Sequence, residues 1–318
     1  MNRVEEHAAL PSRLLAYLRE RFPLLGNCLL ILSFYSSNQF LAHALCHPGE
    51  PMRYDYSTLC GCLTLLCFFL HIRIFDDHKD YLDDCRHFPD RVLQRNVVTL
   101  NELKWLAAAA IAVEFALAAI AGPAAVLSLL IAFCFSLLML KEFFLGEWLK
   151  RRFLLYASVH MLIMPLLAMT IWSFATKRFL WQIPVWYLLY SGVNYFLAFN
   201  WEISRKIRVP EDEREGLDSY TRIFGTYGAA YLVLVVRMID TVLVSLVAYH
   251  LGLSLWFYGL IVALFMVCLV GVIQYRFQTS TTTAHRLSIY AGVYIVAFDI
   301  ALAIELVRTF GIQFSGTL

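Results

Sequence analysis

Two short acidic segments carry residue types and spacings that could do chemistry. The first reads His71-Ile-Arg-Ile-Phe-Asp76-Asp77-His-Lys79-Asp80-Tyr-Leu-Asp83-Asp84. On a helix, Asp76, Asp80 and Asp84 fall at i, i+4 and i+8, each displaced by roughly 40° around the axis, so all three project to one side. Like charges at that spacing destabilise an isolated helix, and a divalent cation would offset the repulsion. Carboxylates suit magnesium, which keeps several waters and is often shared between one or two carboxylates and a substrate's phosphates. The rise from Asp76 to Asp84 is roughly 12 Å, too far for one ion to touch all three. Adjacent pairs, with Asp77 beside them, would hold one ion or two. The plainer alternative is a solvated acidic helix end balanced by Lys79, Arg86, Arg91 and Arg95; the repeated four-residue spacing, continuous with an apolar stretch, favours the metal.

The second segment runs Asn200-Trp-Glu202-Ile-Ser204-Arg205-Lys206-Ile-Arg208-Val-Pro210-Glu211-Asp212-Glu213-Arg-Glu215-Gly216. Asn200, Ser204 and Arg208 again share the i, i+4, i+8 spacing, and Glu202 and Lys206 repeat it on another face. Basic side chains beside acids suit a diphosphate held through magnesium and clamped by Arg or Lys. A basic loop at a membrane surface would account for part of the same pattern. Thirteen of the 24 acidic residues lie in 76–102 and 201–222, a concentration that solubility alone does not demand.

The elements that must position these segments are apolar. The chain has 318 residues, 60% hydrophobic and 16% charged, against about 45–50% and about 25% in soluble domains; an ordinary soluble enzyme is excluded. Lys and Arg number 26 against 24 Asp and Glu, for a net charge of +2, which argues against a nucleic-acid partner. Stretches near the roughly 20 apolar residues that a membrane-spanning helix needs occur at about 23–46, 56–75, 103–121, 123–140, 153–173, 180–200, 226–249, 254–274 and 288–308, with Gly122-Pro123 making a tight hairpin. The expected fold is all-α and polytopic: nine transmembrane helices around a central cavity, in a single integral membrane domain over 1–318. An amphipathic helix over 10–22, with Leu14, Leu15, Leu18 and Phe22 on one face, is expected at the bilayer surface. Basic residues concentrate on the side holding the N-terminus and both acidic loops, which places them in the cytoplasm and the C-terminus outside. A multi-pass protein of a bacterial inner membrane, in contact with membrane lipids, is the expectation.

Ionisable groups inside spans are functional candidates: Glu114, Arg237, Asp240 and Asp299. Arg237 and Asp240, at i and i+3, are expected to pair. His160 and Asn38-Gln39 read as internally satisfied polar groups. The eight cysteines lie mostly within spans and read as small hydrophobes rather than disulfides or metal ligands.

Acidic loops after the second and sixth of nine spans resemble those of the UbiA superfamily of intramembrane prenyltransferases. Asp76-Asp77-x-x-Asp80-x-x-x-Asp84 is similar to that family's first motif, N-D-x-x-D-x-x-x-D, with Asp for the leading Asn. Arg91-Val-Leu93-Gln-Arg-Asn96-Val-Val-Thr99 resembles the stretch R-P-L-x-x-G-x-x-S/T that follows it, with Pro and Gly replaced. Glu202-Ile-Ser-Arg205-Lys206-Ile-Arg208, then Gly216, Thr221 and Gly225, resembles the frame of the second motif, but Lys206 and Arg208 stand in or beside positions of the usual aspartates. The resemblance implies catalytic and metal-holding roles for Asp76, Asp77, Asp80 and Asp84. It implies a second metal set from Asn200, Glu202, Glu211 and Asp212, or its partial replacement by fixed positive charge. Lys79, Arg91, Arg205, Lys206 and Arg208 would contact diphosphate, and Mg2+ would be the cofactor.

The implied reaction ionises an isoprenyl diphosphate and transfers the prenyl group to an aromatic or other lipophilic acceptor. The alternative on the same fold is a terpene cyclase acting without acceptor; Asn200-x-x-x-Ser204 resembles the start of the second metal motif of soluble cyclases, which however ends in Glu where this chain has Arg208. An allylic cation needs a chamber closed to water, and aromatic faces attract cations. A cation transporter would distribute acids along a transmembrane path, whereas these gather at one mouth. A CDP-alcohol phosphotransferase would carry a D-G-x-x-A-R-type signature, which is not found.

Overall fold

A computed structural model describes residues 9–213 and 218–314. Glu215 and Gly216 lie outside the described residues. The chain folds into helices in the order α1 (Leu10–Arg21), α2 (Leu24–Cys46), α3 (Tyr56–Lys79), α4 (Tyr81–His87), α5 (Leu100–Ala121), α6 (Pro123–Leu140), α7 (Gly146–Lys150), α8 (Phe153–Met161), α9 (Ile163–Thr176), α10 (Val185–Arg205), α11 (Tyr220–His250), α12 (Leu255–Phe277) and α13 (Thr281–Phe310). A two-stranded parallel ribbon pairs β1 (Met52–Tyr54) with β2 (Ile312–Phe314).

Each of the nine apolar stretches becomes helical, the fifth as α8 and α9 joined across Leu162. Among the described residues seven helical segments are long and apolar enough to cross a membrane, so the nine spans expected are matched in helix position but not in span count. The two outside that set are α2 and α10, whose sequences carry Ser, Asn, Gln and His or Asn, Glu and Arg among the apolar residues.

Local chemistry sets the helix starts. Asp55 caps α3 in a reciprocal box with Thr58. Thr99 and Glu102 do the same for α5, and Ser280 and Thr283 for α13, each satisfying N–H groups that a helix start leaves open. Gly122, at φ 124°, makes the corner between α5 and α6, with Pro123 at the first helical position.

The helices pack α3 along α5, α10 along α11, and α2 and α12 along α13. One core runs between α2, α9, α10, α11, α12 and α13, around Trp172, Tyr187 and Phe257; a second joins α2, α3, α5, α6 and α9. At the loop end, a small core of Tyr17, Ile74, Val92, Leu93, Val98 and Leu103 ties α1 to α3, α5 and the irregular segment between α4 and α5.

Candidate active site

Helix α3 does not run unbroken through the acidic segment. It ends at Lys79, Asp80 takes φ −95° and ψ 8°, and α4 begins at Tyr81. The hydrogen-bond register nevertheless persists, with Asp80 N donating to Asp76 O at 2.8 Å and Asp84 N to Asp80 O at 2.9 Å. The bend therefore falls on the middle acid while Asp76, Asp80 and Asp84 keep their succession along one side. Aspartate is a poor interior helix residue, because its short carboxylate competes for backbone groups.

Asp80 lies in the combined field of Asp76, Asp84 and Glu142, with Lys79 opposing them; burial, then these neighbours, push its carboxyl up to about 6. Lys79 Nζ is 3.3 Å from Asp76 and 5.7 Å from the ring centre of Tyr156. Asp84 accepts from Arg91 at 2.6 Å. Burial, followed by the charge of Arg21, lowers the Arg91 guanidinium. Lys79 stands beside Asp76, Arg91 and Arg21 beside Asp84, and Lys150 beside Glu142, so each acid around Asp80 has a cation of its own.

Asp77 faces elsewhere. Its carboxylate is 1% exposed and accepts from Tyr17 Oη at 2.7 Å, Arg21 at 2.6 Å and Arg73 at 2.5 Å. Asp77 is one residue from Asp76, about 100° away around the helix, which turns it toward α1 rather than toward Asp80.

The second segment is arranged differently. Glu202, 4% exposed, is held by Arg205 and by Lys206 Nζ at 2.8 Å. Asn200 is fully buried, accepting from Arg237 at 2.8 Å and donating to Val233 O at 2.7 Å. Asp212 accepts from Thr281 at 2.7 Å, and Glu211 sits exposed in a single helical turn at 210–212. Arg208 donates its backbone N–H to Thr221 Oγ1 at 3.0 Å. The four residues expected as a second metal set point to four different environments, because ion pairs and the α10–α11 interface claim the two nearest the helix.

Helix α8 joins the two segments. Tyr156 meets Lys79, and Phe153, one turn earlier, lies 4.8 Å from Lys206 Nζ and packs on Tyr220. Sequence reading passed over Glu142, Tyr156, Arg21 and Tyr17. Glu142 opens three consecutive left-handed residues, Glu142, Phe143 and Phe144, at φ 48°, 55° and 58°. Such backbone is costly for non-glycine residues and is held here by Lys150 at 3.0 Å from Glu142 and by Tyr156. Its only sequence signal was its place as one of two acids in an otherwise basic loop.

Within the bundle Arg237 pairs with Asp240 at 3.0 Å, as their spacing implied, and lies 3.5 Å from the ring centre of Tyr294. Asp299 accepts from Ser37 at 2.6 Å. Glu114 meets His71 at 2.7 Å, and His71 in turn Ser136 at 3.2 Å, all fully or almost fully buried. His160 and Asn38 bond to neighbouring backbone carbonyls, and all eight cysteines are free thiols.

Among the described residues no three His, Cys, Asp or Glu side chains converge on a metal-sized point. Magnesium does not require such a cage, since one or two carboxylates, waters and a substrate's phosphates complete its shell. The Asp76–Asp80 side, with Asp84 and Glu142 adjoining, fits that demand; the Asn200–Glu202 side does not.

An all-helical bundle with apolar helices and an acidic mouth defines an integral membrane protein. The UbiA prenyltransferase family model matches residues 25–296, and the chain belongs to that family. The structure of digeranylgeranylglyceryl phosphate synthase superposes with a TM-score of 0.63 at 17% identity, covering 93% of this chain and 99% of that one. An apo UbiA homologue from Aeropyrum pernix K1 gives 0.66 at 16% identity over 89% and 97%. A UbiA homologue from Archaeoglobus fulgidus bound to GPP and Mg2+ gives 0.57 at 15% identity over 91% and 99%. No curated protein matches significantly.

Proposed function

We propose that this protein transfers a prenyl group from an isoprenyl diphosphate to an aromatic or other lipophilic acceptor inside the membrane, with magnesium held on the Asp76–Asp80 side of the acidic mouth. The observation that carries the reading is the gathering of Asp76, Asp84 and Glu142 around Asp80 at the end of an apolar bundle, in a chain of the UbiA prenyltransferase family. Bound there, Mg2+ would supply the countercharge a diphosphate needs as it departs. Asp76 and Asp80 would hold it, with Asp84 and Glu142 adjoining. Lys79, Arg91 and Lys206 would meet phosphate oxygens, the first from α3, the second through the Asp84 pair and the third across Phe153 of α8. Fixed positive charge at Arg205, Lys206 and Arg208 takes the place of a second metal. The acidic mouth and the N-terminus face the cytoplasm in this reading, in line with the placement of basic residues.

Cyclisation of the same diphosphate without acceptor is the second reading, favoured by Asn200 and Ser204. Asn200 is occupied by Arg237 and Val233, and Ser204 donates to the Asn200 carbonyl at 2.8 Å, which takes away the support of that motif. The test is incubation of the purified protein with Mg2+ and prenyl diphosphates of several lengths, with and without phenolic or other lipophilic acceptors. Acceptor-dependent diphosphate release is expected. Release with hydrocarbon product and no acceptor would replace transfer by cyclisation, and no release with any diphosphate would overturn both.

A further inference from the structure

The N-terminal helix was expected at the bilayer surface, yet its polar face is committed to the catalytic loop. Arg13, Tyr17, Glu20 and Arg21 stand at offsets of zero, four, seven and eight and so share one side of α1. Together they reach the start, middle and end of the segment from Asp77 to Glu102. Arg13 binds Glu102 through both guanidinium nitrogens, at 2.6 and 3.1 Å, and donates to Val97 O at 3.3 Å. Glu20 accepts the Val92 N–H at 3.0 Å. Tyr17 and Arg21 converge on Asp77, and Arg21 lies 3.6 Å from Asp84, the carboxylate that also holds Arg91. Leu14 and Leu18 pack against the small core that Tyr17 forms with Val92, Leu93 and Val98.

This matters because residues 88–99 have no regular secondary structure: the N–H groups of Arg91, Arg95, Asn96 and Val97 are met by turns within the segment, whereas the Val92 N–H and the Val97 carbonyl are met from α1. Helix α1 supplies partners at the start, middle and end. Asp77 is 1% exposed; without Tyr17 and Arg21, Arg73 alone would balance a buried carboxylate. We infer that α1 is a built-in clamp of the catalytic loop, in which Tyr17 and Arg21 are positioning residues that hold Asp77 on its own side of α3 and fix Asp84 and Arg91 toward the diphosphate. The inference rests on the proposed function for its ligand, though not for the clamp itself.

The test uses the full chain in lipid nanodiscs, with geranyl diphosphate and Mg2+ as the probe for binding, and limited trypsin cleavage after Arg91 and Arg95 as the probe for loop order. Arg21→Gln is expected to weaken geranyl diphosphate binding about tenfold, the scale of one lost hydrogen bond to a charged group. It should also accelerate cleavage at Arg91 and Arg95. Tyr17→Phe keeps the buried ring and should weaken binding by about threefold to tenfold; Arg21→Lys should restore most of the affinity lost in Arg21→Gln. Arg19→Gln, on the exposed side of α1, should match wild type in both assays. A wild type that binds while Arg21→Gln and Tyr17→Phe bind equally well, whatever their melting temperatures, overturns the positioning role. A wild type that binds no geranyl diphosphate overturns the functional reading instead. In that case unchanged trypsin cleavage in Arg21→Gln overturns the clamp, and faster cleavage supports it.

Discussion

The two acidic segments differ in how their charge is spent. Around Asp80, the carboxylates of Asp76, Asp84 and Glu142 stand together, each beside a cation of its own, and burial with these neighbours pushes the middle acid up to about 6. Around Glu202, Arg205 and Lys206 on the same helix end already flank the one carboxylate that is buried among the described residues of the segment. Similar residue types therefore give a cluster of four acids in one place and a single acid between two bases in the other. One acid with bases at i+3 and i+4 is enclosed by its own helix end, whereas acids at i, i+4 and i+8 crowd one another along a side.

The sharpest way to break this contrast is to remove the middle acid. Asp80→Asn should lower Mg2+-dependent turnover by about a hundredfold or more, the scale of losing one preorganised electrostatic contact, while circular dichroism shows an intact bundle. Activity within a few-fold of wild type would dissolve the distinction between the segments. Next comes pH. An Asp80 carboxyl near 6, above the usual 3.9 or so of an unfolded chain, means the folded state favours the protonated form. The stability it contributes is full below about 4 and fades as pH rises through 6, whereas the ionised form that a metal needs is lost as pH falls below 6. The half-saturating Mg2+ concentration should thus rise toward about tenfold per pH unit below 6, measured as Mg2+ titrations of turnover; a flat dependence from pH 5 to 7.5 contradicts the assignment. Glu202→Gln should cost about 1–3 kcal/mol of stability, seen as a lowered denaturation midpoint in detergent, because two cations lose their buried partner and both are partly solvated. Its Mg2+ requirement should stay unchanged; a shifted requirement would restore Glu202 to the metal set. The smallest effect is expected of Glu142→Gln: by relieving repulsion on Asp80 it should move the acid limb of the Mg2+ dependence downward by a fraction of a pH unit, with turnover at neutral pH reduced about threefold or less.

The apolar stretches and the acid spacing were legible from sequence because both are local periodicities. Helices formed wherever a run of about 20 apolar residues lay, the fifth run as two, and the i to i+4 backbone register from Asp76 through Asp80 to Asp84 persisted through the bend. The Arg237–Asp240 pair was equally legible, since a three-residue offset on a helix fixes proximity without any knowledge of the fold. The span count was less so, because Asn, Gln, Glu and His in α2 and α10 face other helices, and hydropathy averages them with their lipid-facing neighbours.

What the sequence determined by itself, then, was the class of protein and the acidic ladder: composition sets the solvent, and helical periodicity sets which side chains share a face. Which acids remain available was decided by tertiary structure alone. Asp77 is adjacent to Asp76 in the chain but belongs to α1, and Asn200, placed beside Glu202 by the sequence, belongs to Arg237 of another helix. Glu142, some sixty residues from Asp80, shares its field. Charges act through space, and only the packing of α1, α8 and α11 against the acidic segments brings those distances within reach of a few ångströms.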